Sequence, residues 1–389
     1  MFRTIAIALI LSCALVGGYG GMYLAVRHGF FDAVKICTTK KSMWLKPRCV
    51  LARSGPTYRP VYTGVPSIDD TVGLLLEFFA VSIVNYGQDI DWQGVLTMSY
   101  MAAQFGGLWS LMALEGLRKK NRRTVFSYTG SWGMLGQLVT ITIAAPIYLA
   151  LNVLYSPDRA GYEDVVVDPT DADILPWIST MSYIVPSLFM ILPSLGILSP
   201  RENYIIIALW QPFPLLHSLF HPLVKKLVDP DKKPKETTDR LLVSLRGVYH
   251  FVMVFSGVAH GLMMGTVISS KTLSNMPGLS LSKMLAPTSL TDPPIRTLMR
   301  PPVSALAQKE IVTNFLRWDI YCACAAFVVW AIYQKHQALP QKSLLRTVGK
   351  VGFWTAVAGP VASAAALLRE RDLEVLERIE LNRQIRKIK

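Results

Sequence analysis

Carboxyl groups inside apolar runs carry the chemistry to ask about first, because an acid at membrane depth is expensive and is a functional candidate by default. Asp319 stands in FLRWDIY, well inside an apolar run, beside Arg317 and Trp318. Glu115 stands in ALEGLRKKNR at the end of another run, with Arg118 three residues on, the spacing of a helical ion pair. Asp69 and Asp70 open a third run in GVPSIDD, where one of them suits a helix N-cap. Glu77 follows Asp70 by seven residues, which places the two within about 20° on one helical face. Such a pair either bonds a neighbouring helix or holds a proton, since burial disfavours the charged form of a carboxyl. Tyr249 and His260 are eleven residues apart and nearly share a face; a lone histidine in such a place usually packs between helices. His217 and His221 have i, i+4 spacing, but Pro222 follows directly and no third ligand is evident, so no metal is expected.

The remaining motif space is empty. The acidic loop 155–173 has Asp158, Glu163, Asp164, Asp168, Asp171 and Asp173 at intervals that form no DDxxD or DxDD array. No phosphate-binding glycine loop, dinucleotide fingerprint, HExxH or nucleophile elbow occurs in a convincing context. No cofactor is expected.

The elements that must position these groups are apolar helices. Of 389 residues 51% are apolar and only 17% charged, against about 25% in an ordinary soluble domain. Apolar runs near 20 residues recur, the length that spans a bilayer core of about 30 Å. They fall near 4–26, 70–87, 95–116, 131–154, 174–198, 203–226, 241–267, 312–334 and 348–368. Backbone groups in lipid must be satisfied within the segment, and no period-2 alternation indicates barrel strands, so the runs read as helices. The expected fold is all-α: a single polytopic transmembrane helix bundle over 1–389 with eight or nine membrane segments. The sixth segment is the doubtful one, because it carries Pro212, Pro214 and Pro222. The tail 369–389 reads as a charged, solvated amphipathic helix on the cytosolic or lumenal side.

The net charge is +14, but the basic residues sit in short connections between apolar runs, which is a topological use of charge. A nucleic-acid partner is excluded on that ground. Basic connections at 27–63 and 117–130 alternate with acidic ones at 86–94 and 155–173, as cytosolic and lumenal loops do, until the basic 225–240 connection breaks the pattern. The run 4–26 exceeds a signal-peptide core and reads as an uncleaved helix. A multi-pass protein of the endoplasmic reticulum is expected, with the lipid bilayer as its medium. Cys37 and Cys49 fall in a loop that the charge pattern places in the cytosol, where disulfides are rare.

Six patches, in order along the chain, resemble one family: GVPSIDDTVGLLLEFF (64–79), LMALEGLRKKNR (111–122), AAPIYLAL (144–151), IALWQPFP (207–214), YHFVMVFSGVAH (249–260) and FLRWDIYCACAAFVVWAIY (315–333). The family is that of the integral-membrane terpene cyclases of fungal meroterpenoid pathways, of the ascochlorin, ascofuranone and macrophorin type. The first segment, the 27–63 loop and the 269–311 stretch carry no matching pattern. The resemblance implies metal-independent, acid-initiated cyclisation of a lipophilic farnesyl-type chain on an aromatic or polyketide head group. Protonation starts at an epoxide or a terminal alkene, and a pathway prenyltransferase and oxygenase would supply the substrate. Under that implication Asp319 and Glu115 are acid and acid partner, Asp69 or Glu77 a second carboxyl or base, and His260 an orienting group or final proton acceptor. Trp109, Trp210, Tyr249, Trp318 and Trp330 are the aromatic faces that would stabilise a moving cation. A small-molecule or lipid transporter is the rival reading, weakened by the lack of internal repeats. A non-catalytic scaffold held together by its polar residues is a third.

Overall fold

The structure, a computed structural model, describes residues 1–31, 63–83, 92–157, 160–192, 197, 200–229, 238–270, 279–286 and 305–388. Every regular element among them is helical. The chain opens with α1 (Phe2–Arg27), whose middle relaxes into a π turn over Gly18–Tyr23. There follow α2 (Pro66–Ile83), α3 (Trp92–Leu117), α4 (Thr129–Val139) and α5 (Ile141–Leu154). Then come α6 (Pro169–Ser179) and α7 (Val185–Ile191), joined by a second π turn, and α8 (Pro200–Trp210) and α9 (Phe213–Val228). The bundle closes with α10 (Thr238–Ser270), α11 (Ala305–Ala338), α12 (Leu344–Ala358) and α13 (Pro360–Ile388).

The expectation of eight or nine membrane segments is corrected. Among the described residues four helical stretches are long and apolar enough to cross a membrane: Phe2–Arg27, Tyr162–Ile191, Thr238–Ser270 and Lys309–Ala338. The other apolar runs break or dilute. The 131–154 run splits at Thr140 into α4 and α5, of 11 and 14 residues, or about 16 and 21 Å at 1.5 Å per residue. The 203–226 run splits at Gln211 and Pro212 into α8 and α9, and the proline-rich join is the reason the run looked doubtful. The 348–368 run splits at Gly359, whose φ of +87° is a left-handed conformation that glycine tolerates and that ends α12. Helix α3 is long enough, but Ser99, Gln104, Ser110 and Glu115 dilute it. The run 70–87 is described only to Ile83.

Helix α11 is the central post. It packs against α1, α5, α3, α2 and α13, while α13 also lies on α10 and α12. The large core between them buries Tyr148, Leu245, Tyr249, Phe327, Trp330 and Leu376. Residues 369–388 continue α13, and Arg371, Asp372, Val375 and Leu376 lie on its buried face. The acidic 155–173 loop is shorter than expected, because Asp168 caps α6 by accepting from the Thr170 N–H at 2.9 Å and places Asp171 and Asp173 inside a helix. Cys13, Cys322 and Cys324 are free thiols. Cys37 and Cys49 lie outside the described residues.

Candidate active site

Two cavities meet at one carboxyl group. The larger lies between α3, α4, α7, α8 and α11 and the smaller between α1, α2, α4 and α11, with about 800 and 520 Å³ of empty space counted with their open mouths. The two share Phe79, Gly136, Gln137, Leu316 and Asp319, so they adjoin there; together these two lobes are called the chamber, with Asp319 at its waist. Asp319 is the only Asp, Glu, Lys, Arg or His lining either lobe among the described residues. Its Oδ1 accepts the backbone N–H of Thr142 at 3.2 Å, and among the described residues no cationic side chain pairs with it.

Aromatic rings run along both lobes without a gap. Centroid separations are 5.3 Å for Trp109 and Phe213, 5.1 Å for Phe213 and Trp210, 5.0 Å for Trp210 and Phe79, 5.2 Å for Phe79 and Phe78, and 5.0 Å for Phe78 and Phe315. Most of these contacts are edge-on, the arrangement aromatic pairs prefer. The belt is held by close approach of the backbone. A Cβ on Gly133 would lie 2.5 Å from Pro214 Cβ and 2.7 Å from the Trp109 ring, so the small residue lets α4 reach that wall.

The backbone beside Asp319 is strained. Thr140 has φ +79° and ψ +149°, a region almost reserved for glycine, and it forms the break between α4 and α5. That break leaves the first N–H groups of α5 without intrahelical partners, and the one on Thr142 reaches Asp319. Replacing Thr140 by Gly is therefore expected to stabilise the protein, by about 1 kcal/mol once the flexibility of glycine in the unfolded chain is set against relief of about 1–3 kcal/mol of strain. The thermal midpoint of the detergent-solubilised protein should rise; an unchanged or lower midpoint would mean the conformation carries no strain.

The structure brings together only some of the residues picked out in the sequence. Asp319 and Trp210 line the chamber, and Trp109 stands just behind its wall, with its indole N–H directed at His217 Nδ1 at 3.3 Å. Glu77 is fully buried on α2, the helix that contributes Phe78 and Phe79, and neither of its carboxyl oxygens has a hydrogen-bond partner among the described residues. Asp69 is occupied at the start of that helix. Its oxygens accept from Thr63 N at 2.7 Å, Thr63 Oγ1 at 2.9 Å and Gly64 N at 3.1 Å. His260 ties α10 to α3 and α12, accepting from the Tyr100 hydroxyl at 3.2 Å and donating to the Ala356 carbonyl at 3.1 Å. Trp318 packs on Gly20 in the π turn of α1.

Glu115, Tyr249 and Trp330 belong to a separate buried polar cluster away from the chamber lining. Arg118 donates to Glu115 at 2.6 Å, to the Val165 carbonyl at 2.7 Å, to the Tyr249 hydroxyl at 3.1 Å and to Asp372 at 2.7 Å. Burial works against the Arg118 charge, but Asp372 and the other groups around it more than offset that and hold its pKa above the ordinary arginine value. Asp372 also accepts from Tyr249 at 2.6 Å and from Arg371 at 2.7 Å. Arg371 continues to Gln334, Gln334 to Asn152, and Asn152 receives the Trp330 indole and donates to Glu115. His221 and Lys225 pair with Asp171 at 3.1 and 2.8 Å. No group of three His, Cys, Asp or Glu side chains is placed to hold a metal among the described residues.

Gln137, Thr142 and Tyr183 are site residues that reading the sequence missed. Of these, Gln137 carries a signal in the sequence, as a polar side chain inside an apolar run, but an amide does not titrate and stands out less than an acid.

No solved structure matches the chain. Among curated proteins it is similar to the terpene cyclase ascI of Acremonium egyptiacum, 29% identical over 334 residues that cover 83% of this chain and 82% of the relative. It is also similar to the terpene cyclase atmA of Aspergillus flavus, 24% identical over 90% of this chain and 92% of the relative. The terpene cyclase ctvD of Aspergillus terreus (strain NIH 2624 / FGSC A1156) is 22% identical over 93% and 98%. These relatives are fungal terpene cyclases, as the six sequence patches indicated. A family model described as the CtvD domain matches residues 5–376, nearly the whole chain, and the chain belongs to that family.

Proposed function

We propose that the protein is a multi-pass, membrane-embedded terpene cyclase that starts its reaction by proton transfer from Asp319. The observation that carries the proposal is the single unpaired carboxyl at the waist of a two-lobed apolar chamber walled by aromatic rings. The substrate class is a farnesyl-type chain on an aromatic or polyketide head group. The chain occupies the lobes with its reactive end at Asp319. The carboxylic O–H passes its proton to an epoxide oxygen, whose C–O bond opens, or to a terminal alkene carbon. The π electrons of the next alkene close the first ring, and the cation moves along the chain. Loss of a proton, or capture by a hydroxyl of the head group, ends the reaction and balances the proton given at the start, so the overall change is an isomerisation.

The wall does two things for the cation. Its ring faces attract positive charge. Three of its polar donors are spent on the protein itself: Tyr183 donates to the Ala102 carbonyl at 2.8 Å, Ser187 to the Tyr183 carbonyl at 2.7 Å, and the Trp210 indole to Ser187 at 2.9 Å. Glu77 is the other unpaired carboxyl beside this region and is assigned as the second carboxyl. Glu115 is held by Arg118 and Lys120 and is assigned a structural role, because a carboxylate gripped by cations has no proton to give.

The test is incubation of microsomes containing the protein with a farnesylated phenol bearing a terminal epoxide. Cyclic isomers of unchanged mass are expected; recovery of the linear compound alone would remove the cyclase reading. Phe79 faces both lobes. Its replacement by Leu should raise the share of early-quenched, partly cyclised products several-fold while substrate consumption falls less, as read by chromatography of the product mixture. An unchanged product ratio would remove Phe79 from the cation path.

A further inference from the structure

The chamber has very few polar side chains, and their commitments differ. Tyr183 and Ser187 spend their hydroxyl hydrogens on backbone carbonyls. Thr140 reaches only the smaller lobe, and its hydroxyl is fully buried. Gln137 alone resembles Asp319 in lining both lobes with a polar side chain. It comes from α4, opposite α11, near the strained break that aims the Thr142 N–H at Asp319. The carboxamide is half-buried and makes no hydrogen bond among the described residues. An amide offers two N–H donors and a carbonyl acceptor, and leaving them unused against an apolar ligand is costly. A site designed only for hydrocarbon would carry Leu or Met there, as it does at Leu316 and Met101.

We infer that Gln137 is a positioning residue whose carboxamide N–H binds an oxygen atom carried on the substrate chain and holds it against the Asp319 carboxyl. This deepens the cyclase proposal and rests on it for the identity of the chain. The Gln137 amide does not transfer a proton. It orients the oxygen lone pairs, so that the Asp319 O–H meets one of them while the amide occupies another. It therefore makes the site discriminate between an oxygen-bearing chain end and the matching plain alkene.

The experiment measures binding separately from turnover. In a D319N background, purified full-length protein in detergent is titrated with two probes: a farnesylated phenol with a terminal epoxide, and the same molecule with the terminal alkene. Adding Gln137→Leu is expected to weaken epoxide binding about 3- to 10-fold, the value of one neutral hydrogen bond, and to leave alkene binding unchanged. Gln137→Met keeps the length but has no donor, and should behave like the Leu variant; it is the readout if the Leu variant does not accumulate. With Asp319 restored, Q137L should raise KM and lower kcat for the epoxide. Equal weakening of both probes would show a packing role, and an unchanged epoxide affinity would show no role; either overturns the inference. Discrimination that follows Gln137 in a protein giving no cyclic product would keep the oxygen site and remove the cyclase reading. A protein binding neither probe removes both.

Discussion

Replacing Asp319 by Asn is expected to lower cyclic product formation by at least about 100-fold, the lower edge of what a positioned general acid contributes. The substitution keeps shape and the hydrogen bond from Thr142, and removes only the transferable proton. Product should be measured against immunodetected protein in the same microsomes, so that loss of chemistry is separated from loss of enzyme. Glu115→Gln is the informative companion. Glu115 accepts from Arg118, Asn121, Asn152 and Lys120 and is kept away from the chamber, so its variant should lose protein rather than rate per molecule. If D319N keeps more than a tenth of the parent turnover, or if E115Q accumulates normally with no activity, the two assignments exchange.

The second large effect lies in the polar cluster. Asp372→Asn should cost about 3–5 kcal/mol, because it leaves Arg118 and Arg371 buried with one counter-charge removed, and breaking a buried ion pair from one side is far worse than never having built it. Arg118, Asp372 and Arg371 are each less than 2% exposed, so water cannot take over from the lost carboxylate. Most of the protein should fail to accumulate, and what remains should melt at a clearly lower temperature. Turnover per folded molecule should stay at the parent level, since the cluster does not line the chamber. A variant that accumulates and melts like the parent would show that the charges are already balanced without Asp372.

These two sites also mark how far the sequence could be read. Asp319 was visible because an acid deep in an apolar run has few other uses. The i, i+3 pairing of Glu115 and Arg118 was visible as well, but not its third partner, which is 254 residues away in sequence. Tyr249 and Trp330 were grouped with cation-stabilising rings on residue type alone. Type does not say which face a ring occupies, and theirs is the face where a hydroxyl and an indole N–H complete the ion cluster. The long helices α1, α10 and α11 were legible from apolar length. The break at Thr140 was not, because no Gly or Pro marks it and its cause is tertiary. The tail looked solvated because Arg and Asp normally are; α13 buries them as a pair whose partners come from other helices.

The span between Arg118 and Asp372 has a consequence for how the chain is made. A ribosome adding about 5–20 residues per second takes about 13–50 s to travel from one to the other. For that interval the guanidinium lacks Asp372, and among the described residues Glu115 is the carboxylate left to it. The earlier helices are therefore made before Asp372 exists, and the last helix to emerge supplies it. The fold is thus closed from its C-terminal end, and premature termination before residue 372 would release a bundle in which Arg118 has Glu115 but lacks Asp372.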